Sequence, residues 1–249
     1  MSVREAVIMA AGVGKRLKPF TEKHPKSLLD VGGRTLLERH LANLEAAGVE
    51  RTTIVIGHFG DQIRDRFGAR FEEMAIRYVE NPRYTRGSIL SMHAGLDGLR
   101  QSAVFMDADV LYHPEILRRL LRSEAPGCFL LDPSAKETGE EMMIGTRGGR
   151  CLKIARRVGA DWDKAGEGVG FFALHESWLW IARQVFDDFL RRGVVDCEYE
   201  DALNALMQEV PCAFVETGDL PWTEIDFPED VAKAEKVLAR LKEMGVERG

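Results

Sequence analysis

Short apolar runs alternate along this chain with longer stretches in which apolar residues recur every three or four positions. The runs at 6–9, 52–56, 75–79, 103–106 and 128–131 have strand length and are bounded by polar or turn-forming residues, so they predict buried strands. Helical spacing fills the gaps between them. Leu37, Leu41 and Leu44 share one face of a helix that Thr35 would cap and Gly48 would stop after Ala47. A short helix follows at 60–67, and after Gly87-Ser88 the positions Ile89, Met92, His93 and Leu96 line one face of another. Pro114 suits the first turn of a helix running to Leu121.

Strand and helix alternate through the first half, which predicts an α/β fold with parallel strands, right-handed crossovers and a ligand site at the strands' carboxyl ends. The second half reads differently. Residues 142–155 form a hairpin turning on Gly148-Gly149, 167–174 a glycine-rich strand, and 178–192 a helix capped by Ser177. A helix beginning near Tyr199, a strand at 212–215 and a terminal helix at 231–244, with Ala234, Val237, Leu238 and Leu241 as its stripe, complete the chain.

Composition narrows the class. With 249 residues, 45% hydrophobic and 30% charged, the chain has the make-up of one globular domain. Its net charge of -6 argues against general nucleic-acid binding, which needs an excess of clustered cations. The cysteines at 128, 151, 197 and 212 form no C-x-x-C pair and read as reduced thiols of a cytoplasmic protein. No apolar signal-like segment follows Met1 and no apolar stretch approaches ~18 residues, so neither secretion nor membrane spanning is expected. His40 reads as a packing residue.

The candidate chemistry starts after the first strand, in the stretch 7–30. Two glycines two residues apart, Gly12 and Gly14, precede Lys15, Arg16 and Lys18, and Pro25-Lys26 follows. Small residues let backbone N–H groups approach an anion, and the cations neutralise it, which points to polyphosphate binding. A Walker A loop is excluded because Arg16 follows Gly14-Lys15 and position 9 is Met. A dinucleotide fingerprint is excluded because position 17 is Leu. A basic surface loop is the ordinary alternative.

Two acidic pairs lie far downstream. Asp107 and Asp109 end the 103–106 strand, where buried carboxylates need a cation, and Mg2+ bridging nucleotide phosphates is the natural one. Capping of the helix at Pro114 is the alternative. Glu224 and Asp226 fall on one side of an extended segment and would present two carboxylates together, unless they form a solvated acidic turn. Glu200 and Asp201 stand in a helix's first turn, where they suit the dipole.

The motif A-G-x-G-x-R-L followed by P-K, here Ala11, Gly12, Gly14, Arg16, Leu17, Pro25 and Lys26, resembles the signature of the NTP_transferase superfamily, whose members make NDP-sugars and CDP-alcohols. With the E-I-D segment at 224–226, the chain is most similar in look to the small phospho-alcohol cytidylyltransferases of the phosphocholine, aminoethylphosphonate or inositol-phosphate type. The resemblance implies a Rossmann-like three-layer sandwich with a mostly parallel mixed sheet, the nucleotide-diphospho-sugar transferase fold. It implies one domain over 1–249, with a nucleotide-binding half at about 1–112 and an acceptor-binding half at about 113–249. Ala10, Ala11, Gly12, Gly14 and Lys15 would hold base and phosphates, with Asn81, Gly87 and Ser88 at the base or ribose. Arg16 would clamp the triphosphate and Lys26 the α-phosphate or the second substrate.

The same resemblance implies Mg2+ on Asp109 and Asp226, with Asp107 and Glu224 as companions. Gly168, Glu200 and Asp201 would border the acceptor. Apart from the resemblance, cation–π chemistry suggests Trp162 or Trp222 as part of an aromatic box for a quaternary ammonium. The partners implied are CTP and a small anionic phosphate or phosphonate acceptor, with a homodimer left open. A sugar-1-phosphate nucleotidylyltransferase using UTP or dTTP shares the opening motif, and a non-catalytic nucleotide-sensing module is the reading from another class.

Overall fold

The structure is a computed structural model that describes residues 2–247; Met1, Arg248 and Gly249, the ends of the expected 1–249 span, lie outside it. Its first strand, β1 (Glu5–Ala10), is apolar on both faces because it is sandwiched in the sheet. It pairs in parallel with β2 (Arg51–Ile56) on one side, and β2 with β3 (Met74–Glu80). On its other side β1 pairs in parallel with β4 (Ala103–Asp107). The one charge at the start of β1 is matched: Glu5 accepts from Arg51 Nη1 at 2.7 Å and from the backbone N–H of Arg100 and Gln101.

Beyond β4 the sheet changes sense. After a short strand β5 (Val110–Tyr112), β6 (Gly127–Asp132) and the hairpin β7 (Met143–Arg147) and β8 (Arg150–Ala155) lead into a long strand, β9 (Lys164–Leu174). This strand pairs antiparallel with β7 through its first half and with β4 through its second, while its far edge takes β6. A late strand, β10 (Cys212–Glu216), joins β6 in parallel. The result is a mixed sheet with a parallel block over β4, β1, β2 and β3.

Helices cover both faces, giving the expected three layers. On one face α1 (Leu36–Ala46), α2 (Gly60–Phe67) and α4 (Pro114–Leu121) bury Leu37, Leu41, Leu44, Ile63 and Ile116. On the other, α3 (Ile89–Leu96), α5 (Leu179–Arg191) and α6 (Tyr199–Glu209) bury Met92, Phe186 and Leu203. Thr35 caps α1 by accepting from Glu38 N–H at 3.2 Å, a contact of about 1 kcal/mol. The expected Ser177 cap is not formed. A 3-10 turn at Glu176–Trp178 precedes α5, and the acceptor there is the His175 imidazole, which takes the Ser177 N–H at 3.2 Å. An imidazole nitrogen accepts as a hydroxyl does, so the cap shifts two residues upstream. No helix among the described residues is long and apolar enough to cross a membrane.

The last helix, α7 (Pro228–Glu243), starts three residues before the apolar stripe suggested, because Pro228 supplies its first turn and Asp230 accepts from the Asp226 and Phe227 N–H groups. Its buried stripe packs with Leu17, Leu36, Leu111 and Ile225 in a small core of their own. That core clamps the opening loop to the 224–226 segment.

Candidate active site

The loop after β1 is held by its glycine and its neighbours. Gly14 adopts φ +63°, and a Cβ there would stand 2.9 Å from Thr21 Cγ2, so glycine is required on both counts. Thr21 Oγ1 donates to the Gly14 carbonyl at 2.7 Å, and the Ala11 carbonyl accepts from His58 N–H at 3.1 Å. Two 3-10 turns, Lys15–Leu17 and Lys26–Leu28, place the cations. Fully buried Leu17 anchors the first turn, burial worth roughly 1.5–3 kcal/mol, and leaves Lys15 and Arg16 facing out. A cavity of about 350 Å³ opens beside this loop, lined by Ala10, Gly12, Gly14 and Lys15 together with Tyr84 and Thr85. Asp109, Asp226 and Lys26 also line it, and of the lining residues Asp226 alone comes from the chain's second half.

What brings the two acidic segments together is a two-stranded ribbon. Strand β5 pairs antiparallel with β11 (Trp222–Glu224), setting Val110 opposite Glu224 and Tyr112 opposite Trp222, and Ile225 N–H donates to the Asp109 carbonyl at 3.1 Å. One carboxylate oxygen each from Asp109, Glu224 and Asp226 then falls within 4.8 Å of the others. Lys26 Nζ donates to Asp109 Oδ2 at 2.6 Å and also to Asp226 Oδ1. Arg16 donates to Asp226 Oδ2, with its guanidinium 4.8 Å from the centre of the Phe227 ring.

Charge and burial act against each other here. Burial would lower the Lys26 ammonium, but Asp109 and Asp226 more than offset it and hold it above its ordinary value. The Glu224 carboxyl is raised above its ordinary range by partial burial and by the neighbouring Asp109 and Asp226 charges, with Lys26 pulling the other way. Asp109 Oδ1 is buried without a hydrogen-bond partner among the described residues. An all-oxygen donor set with a spare buried carboxylate oxygen fits a hard divalent cation.

A second cavity, of about 250 Å³, shares Asp109, Glu224, Asp226 and Arg16 with the first site and runs toward α6. Its wall includes Asp107, Gly168, Tyr199, Glu200, Arg156 and Phe129. Tyr199 donates its hydroxyl to Asp107 Oδ2 at 2.6 Å. Burial, then Asp109 and Glu200, raise the Asp107 carboxyl well above its usual range, the Tyr199 bond partly opposing them. Burial also lifts Glu200, to about 7, against the pull of its own backbone N–H and with Glu198 adding to it. Arg156 is taken by Glu198 at 2.8 Å, while Glu200 has no ion-pair partner within 4.0 Å among the described residues. Asp201 is exposed and does not line this cavity.

Several residues singled out in the sequence go elsewhere. Asn81 is buried, donating to Ser91 Oγ at 3.0 Å and accepting from Arg83 N–H at 2.9 Å, and neither it nor Gly87 lines either cavity. Gly87 lies against the chain at 195–197, where a Cβ would stand 2.2 Å from the Cys197 carbonyl oxygen. Gly87→Ala is therefore expected to cost about 1–3 kcal/mol, seen as a lower urea midpoint with unchanged slope. An unchanged midpoint would show that the 195–197 segment yields freely. Ser88 lines the second cavity and accepts from Tyr199 N–H at 2.9 Å. Trp162 packs on Gly145 and donates to the Val158 carbonyl, and Trp222 donates to Asp132, so neither reaches the Glu200 cavity. Its aromatic wall is Phe129, Phe171, Phe172 and Tyr199. Tyr84, Thr85 and Arg156 carried no motif in the sequence; only their place after a strand end or hairpin hinted at a site.

Comparison with known proteins bears on this geometry. A profile of the MobA-like NTP transferase domain matches residues 6–168. The bifunctional IPC transferase and DIPP synthase of Rubrobacter xylanophilus is 30% identical over 94% of this chain and 51% of its own length. The chain thus spans about half the length of the bifunctional relatives it matches. The 2-aminoethylphosphonate cytidylyltransferase of Lancefieldella rimae is 28% identical over 82% of this chain and 81% of its own. Among solved structures, the inositol-1-phosphate CTP transferase from T. maritima superposes with a TM-score of 0.77 at 21% identity, over 100% of this chain and 99% of that one, which is a likeness of fold.

Proposed function

The chain belongs to the MobA-like NTP transferase family, and from that premise we propose that it is a cytidylyltransferase joining CTP to a small phosphorylated or phosphonylated alcohol. The observation that carries this reading is the convergence of Arg16 and Lys26 from the signature loop with Asp109, Glu224 and Asp226 between two cavities. One cavity has the glycine-lined mouth suited to a nucleotide, the other an acidic wall suited to a small acceptor. In this reading residues to about 112 form the nucleotide half, and the rest, apart from Asp226, the acceptor half.

In the reaction, an acceptor phosphate or phosphonate oxygen forms a bond to the α-phosphorus of CTP as the bond to the bridging oxygen breaks and pyrophosphate leaves with the electron pair. An acceptor phosphate with a second pKa of about 6 is already largely dianionic at pH 7, so positioning and charge neutralisation matter more than a strong base. Lys26 would stabilise charge developing at the α-phosphate and Arg16 would hold the outer phosphates. Asp109, Asp226 and Glu224 would hold a divalent cation, Mg2+ in this reading, which when bound would neutralise phosphate charge.

The acceptor wall favours an acceptor with a positive end. Glu200 and the Tyr199–Asp107 pair stand beside aromatic rings, a setting that stabilises an amine or quaternary ammonium more than a neutral polyol. A pyrophosphate-release matrix of the four NTPs against phosphocholine, 2-aminoethylphosphonate, inositol phosphate and hexose-1-phosphates tests the whole reading. The highest kcat/KM is expected for CTP with an amine-bearing acceptor. UTP or dTTP with a hexose phosphate would move the chain to the sugar-nucleotide branch, and no release in any combination would favour a sensing module.

With a carboxyl near 7, Glu200 gains its charge as pH rises from 6 to 8, so KM for a cationic acceptor is expected to fall across that range. Glu200→Gln is expected to raise that KM roughly tenfold, about 1.4 kcal/mol, and to flatten the profile relative to wild type. Comparing the two enzymes cancels the acceptor's own ionisation. An equal effect on a neutral acceptor would remove the charge argument.

A further inference from the structure

The site described above is closed on itself electrostatically. Lys26 Nζ lies between Asp109 and Asp226, hydrogen-bonded to both, and its side chain is only 13% exposed. Arg16 takes the other oxygen of Asp226 and stands 3.9 Å from Glu140. The two cations that suit a triphosphate are thus already bonded to the carboxylates that suit a divalent cation. A metal arriving alone would have to push Lys26 off both aspartates and leave it beside Glu224, itself one of the three carboxylates that the metal would take. A nucleotide arriving alone would have to strip Arg16 and Lys26 from Asp226 and Asp109, leaving uncompensated carboxylates beside its phosphates.

Joint arrival removes both penalties, because the ammonium and guanidinium pass to the phosphates as the carboxylates pass to the metal. We propose that Lys26 and Arg16 are resident counterions of the metal-binding carboxylates, exchanged as a set, so that metal and nucleotide bind this protein with positive coupling and each binds poorly alone. By linkage the coupling is reciprocal. The inference rests on the nucleotidyl-transfer reading for the identity of the nucleotide, but the exchange itself concerns only the chain's own residues.

The exchange has an unusual signature: deleting a cation that serves the nucleotide should improve binding of the metal alone. The test is a titration of nucleotide-free protein with Mn2+, followed by the loss of the free-ion EPR signal. Wild type is expected to bind weakly, Lys26→Gln at least about tenfold more tightly, and Arg16→Ala more tightly by a smaller factor, since that side chain is half exposed and touches one carboxylate. Adding CTP should tighten Mn2+ on wild type by a larger factor than on either variant. Arg16→Ala removes a surface group, so it keeps the test decisive should Lys26→Gln fold poorly, which circular dichroism would reveal.

Mn2+ binding no tighter in a folded Lys26→Gln or Arg16→Ala protein than in wild type would overturn the exchange. Pyrophosphate release by the same wild-type preparation, assayed with each NTP and the acceptor panel, separates the two claims. Tighter Mn2+ in the variants with no release by wild type sustains the exchange and defeats the transferase reading; release without tighter Mn2+ does the reverse.

Discussion

Asp226→Ala is expected to lower kcat on the order of 10²–10³-fold, the largest effect of any single substitution in this protein. Three links run through that carboxylate. It bonds Lys26 through one oxygen and Arg16 through the other, and it shares the three-carboxylate cluster with Asp109 and Glu224. Its loss therefore removes a metal donor and frees both phosphate-binding cations in one step. Asp109→Ala removes a metal donor and one Lys26 bond only, so its effect should be smaller. Pyrophosphate release measured across a Mg2+ titration checks this, with part of the loss recovered at high Mg2+ if weakened binding contributes. Near-normal turnover of Asp226→Ala at the wild type's own Mg2+ concentration would sink the assignment.

The fold should survive that substitution. Asp226 is not the residue that caps α7; its own N–H and that of Phe227 are satisfied by Asp230, which is untouched. Ile225, fully buried beside it, keeps the segment in the small core with Leu17 and Leu238. An unchanged melting profile alongside lost turnover would locate the effect in the site's chemistry.

How much of this was legible in the sequence depends on distance along the chain. The ends of α2 and α4 and the start of α3 could be read to the residue, because glycine, serine and proline punctuate them locally. The opening loop was legible too, since its conformation is dictated by neighbours such as Gly14 and Thr21 only seven residues apart. The meeting of Lys26 with Asp109 and Asp226 was implied only by the family resemblance, not by any local pattern. It spans 83 and 200 residues and depends on the β5–β11 ribbon, whose three-residue strands are too short to leave a periodic signal.

Residues expected to face a ligand show the opposite limit. Asn81 and Gly87 follow a strand's carboxyl end, the usual place for a base pocket, yet one is spent on Ser91 and Arg83 and the other makes room for the 195–197 backbone. Tyr199 was readable as the first residue of a helix but not as the partner of Asp107, 92 residues away. Local rules place an element; which side chains it presents to a distant segment is decided by packing.

Lys26→Ala is the second substitution with a large expected effect, a fall in kcat on the order of 10²-fold with little change in KM for the nucleotide. The ammonium is largely enclosed, so water cannot substitute for it at the point where charge develops on the α-phosphate. Arginine should not restore the rate, because a planar guanidinium needs a different approach to the two aspartates from that of the compact ammonium. Removing the cation also leaves Asp109 and Asp226 facing each other, so the melting temperature should fall without metal and recover in part with Mg2+. A metal-free stability equal to wild type would mean that the aspartates relax apart, and a kinetic effect confined to KM would make Lys26 a binding residue alone. Together the two readouts distinguish a lysine that holds phosphate from one that also keeps the carboxylates apart until metal and nucleotide arrive.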